Sequence, residues 1–300
     1  MSKVIITCAV TGSIHTPTMS PHLPVTADEM VTQAIDAAEA GASIIHLHAR
    51  DPETGRPSAR PEDFMAFLPR IKQRSDAVLN ISTGGSSQMT LAERIAPALA
   101  ARPEMCSLNM GSMNFGIFPL AERYDAWKHD WEKDFLEATR DVVFKNTFAD
   151  IEAILAELGD GCGTRFEFEC YDVGHIQTLA WFLKQKKVAK PVFLQFVMGV
   201  LGGVDASPES LMAMKATADR LIGPDAYRFS VLAAGRHQMR LGTMGAILGG
   251  NVRVGLEDSL SDGASRSLAP DNAHQVARVR RILEEMGFEV ASPEETRKRL

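Results

Sequence analysis

The sequence predicts one (β/α)8 TIM-barrel domain over residues 1–300, with an extended segment after its fourth strand. Two observations predict it. Eight short runs rich in apolar and β-branched residues alternate with amphipathic stretches of helical period. A chain of 300 residues also has the length for eight such strand–helix units. The rival arrangement is a doubly wound open sheet, whose dinucleotide-binding form needs a G-x-G-x-x-G turn that the first strand lacks.

The first strand, 4–10, leads through a proline-rich loop to a helix at 26–40. Thr26 and Glu29 make a capping-box pattern at its start, and Gly41 is a stop signal at its end. Strand 43–48 precedes a helix at 61–74, and strand 77–81 one at 90–101. Strand 105–108 is followed by 109–148, which is too long for a tight connection and carries Trp127, Trp131 and many charges. It is expected to supply a helix and a loop that cover the barrel mouth or a subunit contact. A helix at 150–158 then leads to strand 165–170, a helix at 174–185 and strand 191–198. Ser207, Pro208 and Ser210 open a helix at 207–221. Strand 227–231, a helix at 238–248, strand 251–254 and a helix at 271–286, stopped by Gly287, complete the pattern. No internal repeat or low-complexity tract interrupts it.

Composition narrows the function classes. With 45% hydrophobic and 23% charged residues, the chain has a globular profile. A net charge of −6 and a pI near 5.8 argue against nucleic acid as the main partner, since phosphate binding needs concentrated Lys and Arg. No apolar run is long enough to span a bilayer, so no membrane partner is expected. Met1-Ser2-Lys3 runs directly into strand-like sequence without a signal-peptide pattern, and a cytoplasmic location is expected. The cysteines, Cys8, Cys106, Cys162 and Cys170, form no C-x-x-C pair and read as reduced and structural. Cys170 beside Glu169 has no adjacent base to make it a nucleophile. Most of the methionines read as core filler.

Chemistry in a barrel collects at the carboxyl ends of the strands. Strand two ends in His46-Leu47-His48. Alternation puts both imidazoles on one face, about 6.6 Å apart at the backbone, able to lean toward one metal ion. A pair of satisfied core or surface histidines is the other reading. Strand three ends in Asn80 and Ser82-Thr83-Gly84-Gly85, with hydroxyls and backbone N–H groups that suit an anion or an ordinary glycine turn. Strand four ends in Asn109, strand five carries Glu167 and Glu169 on one face, and strand six contains Gln195. Strand eight leads into Arg253-Val254-Gly255-Leu256-Glu257-Asp258. Glu257 can complete a three-ligand metal site, Asp258 can act as a base, and Arg253 can grip a carboxylate. Glu257 and Asp258 also suit a solvated acidic turn that caps a helix. His15 and His22 read as rim or structural residues. Gly199–Gly203 suits either close approach to a ligand or a flexible loop. Arg236-His237, after strand seven, is a candidate for meeting a phosphate or carboxylate.

These residues resemble a known family. Thr11-Gly12, His46-Leu47-His48-Ala49-Arg50-Asp51, Ser82-Thr83-Gly84-Gly85, 109–115, Glu167-Phe168-Glu169 and 253–258 are similar to the β-keto acid cleavage enzymes, typified by 3-keto-5-aminohexanoate cleavage enzyme. The resemblance covers essentially the whole chain. It implies a zinc-bearing barrel, usually a homotetramer, that condenses a β-keto acid with acetyl-CoA to give acetoacetate and a new CoA thioester. It implies His46, His48 and Glu257 as zinc ligands and Asp258 as base. It implies Ser82 and Arg253 as the partners that position Asp258 and orient the substrate. The expected substrate pocket takes in Thr83, Gly84, Gly85, Asn109 and Glu169, with Glu167 the alternative to Glu169. The aminohexanoate enzymes carry an acidic residue after strand one, where this chain reads Gly12-Ser13-Ile14-His15. The reaction is therefore expected to survive with a different side-chain specificity. A metal-dependent hydrolase acting on a small acyl or keto acid without CoA is the alternative on the same barrel. A metal sensor or storage protein is the non-enzymatic reading, and no DNA-reading module accompanies it.

Overall fold

The chain's structure is a computed structural model. It describes residues 3–86, 88–263 and 267–300. Eight parallel strands, β1 (Ile6–Ala9), β2 (Ile44–Leu47), β3 (Val78–Ser82), β4 (Met105–Asn109), β5 (Arg165–Cys170), β6 (Val192–Met198), β7 (Tyr227–Ala233) and β8 (Asn251–Val254), close into a barrel in chain order. Closure is made by Thr7 of β1, which pairs with Ile44 of β2 on one side and Arg253 of β8 on the other. The predicted (β/α)8 barrel is therefore the observed fold.

The outer helices follow their local signals. Thr26 and Glu29 cap α1 (Ala27–Ala40) reciprocally, and Gly41 ends it at φ +125°. The helix expected at 61–74 is two, α2 (Pro61–Met65) and α3 (Leu68–Arg74). Pro69 sits in the first turn of α3, where its missing N–H and fixed φ end the first helix and start the second. Helices α4 (Leu91–Ala101), α5 (Trp131–Ala138), α6 (Phe148–Ile154, widening into a π-helical turn), α7 (Val173–Lys184), α8 (Pro208–Leu221), α9 (Gln238–Ile247) and α10 (Asn272–Glu285) follow. A further helix, α11 (Pro293–Arg297), lay unread in a Ser292-Pro293-Glu294-Glu295 capping box. Ala291, just before it, and Leu300 join Ile5, Ile44, Val78, Met105 and Phe193 to plug the amino-terminal end of the barrel.

The 109–148 segment does cover the mouth. Met113–Asn114 and Val143–Phe144 pair as a short antiparallel ribbon, and α5 lies between them.

The barrel axis is unusually polar. Alternation turns Thr7, Asn80, Glu167 and Ser230 inward from the odd strands, and His46, Ser107, Gln195 and Arg253 from the even ones. None is more than 2% exposed. Branched aliphatic side chains commonly fill such layers. Here they are confined to the barrel floor, and hydrogen-bonding groups rise beneath the mouth.

Candidate active site

His46 lies within β2 and His48 just past its end, with ring centroids 5.3 Å apart and planes at 64°. Glu257 reaches them from the turn after β8. That turn passes close against β1: a Cβ on Gly255, at φ +145°, would lie 2.0 Å from the Ala9 carbonyl oxygen. Gly12, at φ +62°, lies under the glutamate, and a Cβ there would come 2.3 Å from Glu257 Cγ. Glu257 Oε1 sits 3.6 Å from His46 Nε2 and 3.5 Å from His48 Nε2. One ligand atom from each of the three lies within 4.8 Å of the others. Gly12→Ala is expected to push Glu257 out of line and weaken divalent-cation binding by at least about tenfold while the barrel still folds, as titration calorimetry with Zn2+ would read. Unchanged affinity would show that the loop gives way instead.

A second device fixes that loop. Arg50, buried at 3% exposure, donates from Nε to Thr11 Oγ1 at 2.7 Å and from Nη1 to the Gly55 carbonyl at 2.8 Å. Its Nη2 donates to the Thr11, Gly12 and His15 carbonyls at 3.1, 2.8 and 2.8 Å. A buried guanidinium must find acceptors, and these hold the 11–15 backbone against Glu257. The arginine of the His46–Asp51 motif is thus a strut for the loop that packs against Glu257. The sequence marked Arg50 only as a member of that motif and gave no sign of this role.

Arg253 is the electrostatic hub. Nε donates to Asp258 Oδ2 and Nη2 to Asp258 Oδ1, both at 3.0 Å, a two-pronged grip. Nη2 also donates to Glu257 Oε1 at 2.8 Å, and Nη1 to Glu169 Oε1 at 3.4 Å. Glu167 lies 3.7 Å from Nη1 and accepts from Asn80 Nδ2 at 3.1 Å. Four carboxyl groups therefore share one guanidinium. Burial pushes Glu167 and Glu169 each up to about 7 and Asp258 up to about 6, against the pull of Arg253. Burial also opposes the charge on Glu257, but His48, Arg253 and His46 hold that carboxyl well below its ordinary value. Burial, helped by Arg253, lowers His46 to about 4, so its ring is neutral at pH 7 with a lone pair to give.

The donor set fits a divalent cation. Glu257 Oε2 and His46 Nδ1 are buried without a protein partner. The excess of carboxylates over guanidinium also leaves negative charge that a cation would balance. Two imidazoles and one carboxylate match the ligand set of an open catalytic zinc site.

The three groups lie at the base of a cavity of about 830 Å³, open mouth included. Ser82, Gly84, Gly85, Asn109, Glu169, Arg253 and Asp258 line it with them. Thr83 does not: its side chain points the other way and its hydroxyl donates to the Ser107 carbonyl at 2.7 Å. Glu167 and Gln195 are buried beneath the cavity and do not line it. His15 donates from Nδ1 to the Leu256 carbonyl at 2.9 Å, a structural role, and His22 is exposed. Burial raises the Cys170 thiol well above its ordinary value, which removes it as a nucleophile. Of the walls above the three groups, the sequence singled out only Ile14 and the 109–115 stretch that holds Phe115. Ile14, Phe115, Ile117, Phe135, Phe144 and Leu232 give them an apolar character.

The profile of the family described as "beta-keto acid cleavage enzyme" matches residues 3–300. The chain belongs to that family. As a member it is an acyltransferase that breaks a carbon–carbon bond of a β-keto acid. It is 54% identical over 99% of its length, and 95% of the relative's, to the 3,5-dioxohexanoate:acetyl-CoA acetone transferase of Paraburkholderia graminis. It is 33% identical, over 99% and 97%, to the 3-keto-5-aminohexanoate cleavage enzyme of Fusobacterium nucleatum. It is 32% identical, over 99% and 96%, to the 3-dehydrocarnitine:acetyl-CoA trimethylamine transferase of Rhizobium meliloti. Among solved structures, ObcA bound to oxaloacetate superposes with a TM-score of 0.74 over 93% of this chain and 67% of that one, at 21% identity, a likeness of fold. No helix among the described residues is long and apolar enough to cross a membrane.

Proposed function

We propose that this chain is a zinc-dependent β-keto acid cleavage enzyme that condenses an uncharged-tailed β-keto acid with acetyl-CoA, yielding acetoacetate and a new acyl-CoA. One observation carries the reading: the His46, His48 and Glu257 donors converge beside a guanidinium-held Asp258 at the base of an apolar cavity. The relatives' printed names, which share acetyl-CoA as co-substrate, support the donor.

A divalent cation bound there would supply Lewis-acid stabilisation of the negative charge that builds on the keto oxygen. Asp258 accepts the α-proton, aimed by the two-pronged Arg253 contact. The resulting carbon nucleophile attacks the acetyl carbonyl, and the CoA thiolate leaves. That thiolate then attacks the original keto carbon. The bond between the keto carbon and the α-carbon breaks, the new acyl-CoA forms, and Asp258 returns its proton to the α-carbon of acetoacetate. Ser82 Oγ accepts from the Gly84 N–H at 3.0 Å, which leaves its own proton for a substrate oxygen. Gly84, Gly85, Asn109 and Glu169 complete the polar side of the pocket.

The tail is assigned from the walls. Ser13 and Ile14, in the loop after β1, line the cavity and bring no charge to meet an ammonium group. Ile14→Glu is expected to shift the kcat/KM ratio at least about tenfold toward a 5-amino-3-oxo acid over its uncharged counterpart. An unaltered ratio would place the tail elsewhere.

The overall test is a panel of β-keto acids incubated with acetyl-CoA and followed by mass spectrometry. Acetoacetate and an acyl-CoA carrying the substrate's remaining carbons are expected in equal amounts. Free acids formed without an acyl-CoA would establish the hydrolase instead.

The same reading makes the protein a cytoplasmic homotetramer. All four cysteines are free and three are buried, in keeping with a reducing compartment. Phe148 and Trp181 pack edge to face at 5.4 Å and stand 55% and 40% exposed, an apolar face suited to a subunit contact. Light scattering reads the assembly directly.

A further inference from the structure

A second groove, of about 1640 Å³ with its open mouth included, lies beside the active-site cavity. The two share Ile14, Ile117, Val200 and Ala234, so they form one continuous depression. The groove is built from the loops after β1, β4, β6, β7 and β8. Its charge is one-sided. Arg123, Arg236 and His237 line it, and no Asp or Glu does among the described residues. That is notable in a chain with 38 acidic and 32 basic residues. Neither Arg123 nor Arg236 forms an ion pair with a carboxylate among the described residues. Arg236 instead directs Nε at His237 Nε2, 3.3 Å away. Unpaired arginines in an acid-free groove make an anion site, and a guanidinium matches phosphate geometry in two-pronged fashion.

Apolar side chains share the rest of the groove with His15, Ser259, Ser261 and Ser267. Leu201 and Leu268 line the groove and stand 54% and 41% exposed, with Tyr124 beside them. Such side chains suit an aliphatic arm and an aromatic base. The basic end is also tied to the chemistry: the Gly235 N–H, one residue before Arg236, donates to the Asp258 carbonyl at 2.8 Å. Loops after strands seven and eight commonly hold phosphates in barrels of this kind.

We propose that this groove binds coenzyme A. Arg123 and Arg236 take its phosphates, the apolar floor takes its pantetheine arm, and the thioester is delivered past Ile14 and Val200 to Asp258. The inference rests on the acetyl-CoA reading above and assigns to that co-substrate residues outside the metal cluster.

The first measurement needs no turnover. Titration calorimetry with 3′-phosphoadenosine 5′-diphosphate should show binding to the wild-type protein that weakens with added salt. The Arg123→Ala/Arg236→Ala variant should bind it at least about tenfold more weakly. The second measurement is kinetic. The preference for acetyl-CoA over S-acetylpantetheine, which lacks the nucleotide phosphates, should fall by a similar factor, through KM for acetyl-CoA. A wild-type protein that ignores the nucleotide, or a variant with unchanged nucleotide affinity and donor preference, would overturn the groove assignment. Nucleotide binding without turnover of any β-keto acid would leave the groove standing and sink the reaction instead.

Discussion

Asp258→Asn is expected to keep its metal and lose about 10²–10⁴-fold in kcat, the usual contribution of a positioned general base. The substitution is close to isosteric. Its amide oxygen still accepts from Arg253, which now holds Asp258 through two bonds of 3.0 Å. The other bond is lost, because the amide NH2 cannot accept, and Arg253 is kept in place by the remaining one and by its 2.8 Å bond to Glu257. What disappears is the ability to accept a proton and return it to acetoacetate. Zinc stoichiometry by plasma emission spectroscopy and the melting temperature separate this from a structural defect. A variant that turns over near the normal rate would remove Asp258 from the base role.

Glu257→Gln should act on the other half of the site, removing the cation and nearly all activity together. Loss of a partner outside the ligand shell already costs about 10–100-fold in metal affinity, so loss of the charged ligand should cost more. The amide can still accept from Arg253 Nη2, and the Gly12 contact with Glu257 Cγ is conserved, so the loop keeps its shape. The affected step is thus binding of the ion rather than folding. Equilibrium dialysis of Zn2+ against wild type and variant, with circular dichroism as a control, reads both. Full metal retention would mean that Glu257 is an Arg253 partner and not a ligand.

The parts of this site that were legible in the sequence are those set by strand period. His46 and His48 face one way because residues two apart on a strand must. The same rule could not choose between Glu167 and Glu169. Both point inward, and only depth separates them: Glu169 lines the cavity while Glu167 lies under it, fully buried, against Asn80. Thr83 shows the rule neglected. Asn80 and Ser82 share the inner face of β3, so its neighbour Thr83 faces out, onto the Ser107 carbonyl. Arg50 was visible as a motif residue, but its acceptors lie up to 39 positions away and follow from tertiary packing. The apolar walls from 109–148 were hidden for the same reason. A loop's length predicts that it covers something, whereas which of its side chains reach the cavity depends on how the ribbon and α5 fold back.

Helix boundaries were read best where capping chemistry is local, as at Thr26 and Ser207, whose hydroxyls accept from the Glu29 and Ser210 N–H groups. They were read worst at residues 66–67, where Pro69 splits one amphipathic pattern into two helices.

Diffraction from crystals soaked in zinc, recorded on either side of the zinc absorption edge, addresses the heart of the proposal. The predicted result is one anomalous peak about 2.0–2.2 Å from a nitrogen of His46, a nitrogen of His48 and an oxygen of Glu257. A map with no peak between these groups, or with the three turned away from one another, would contradict it.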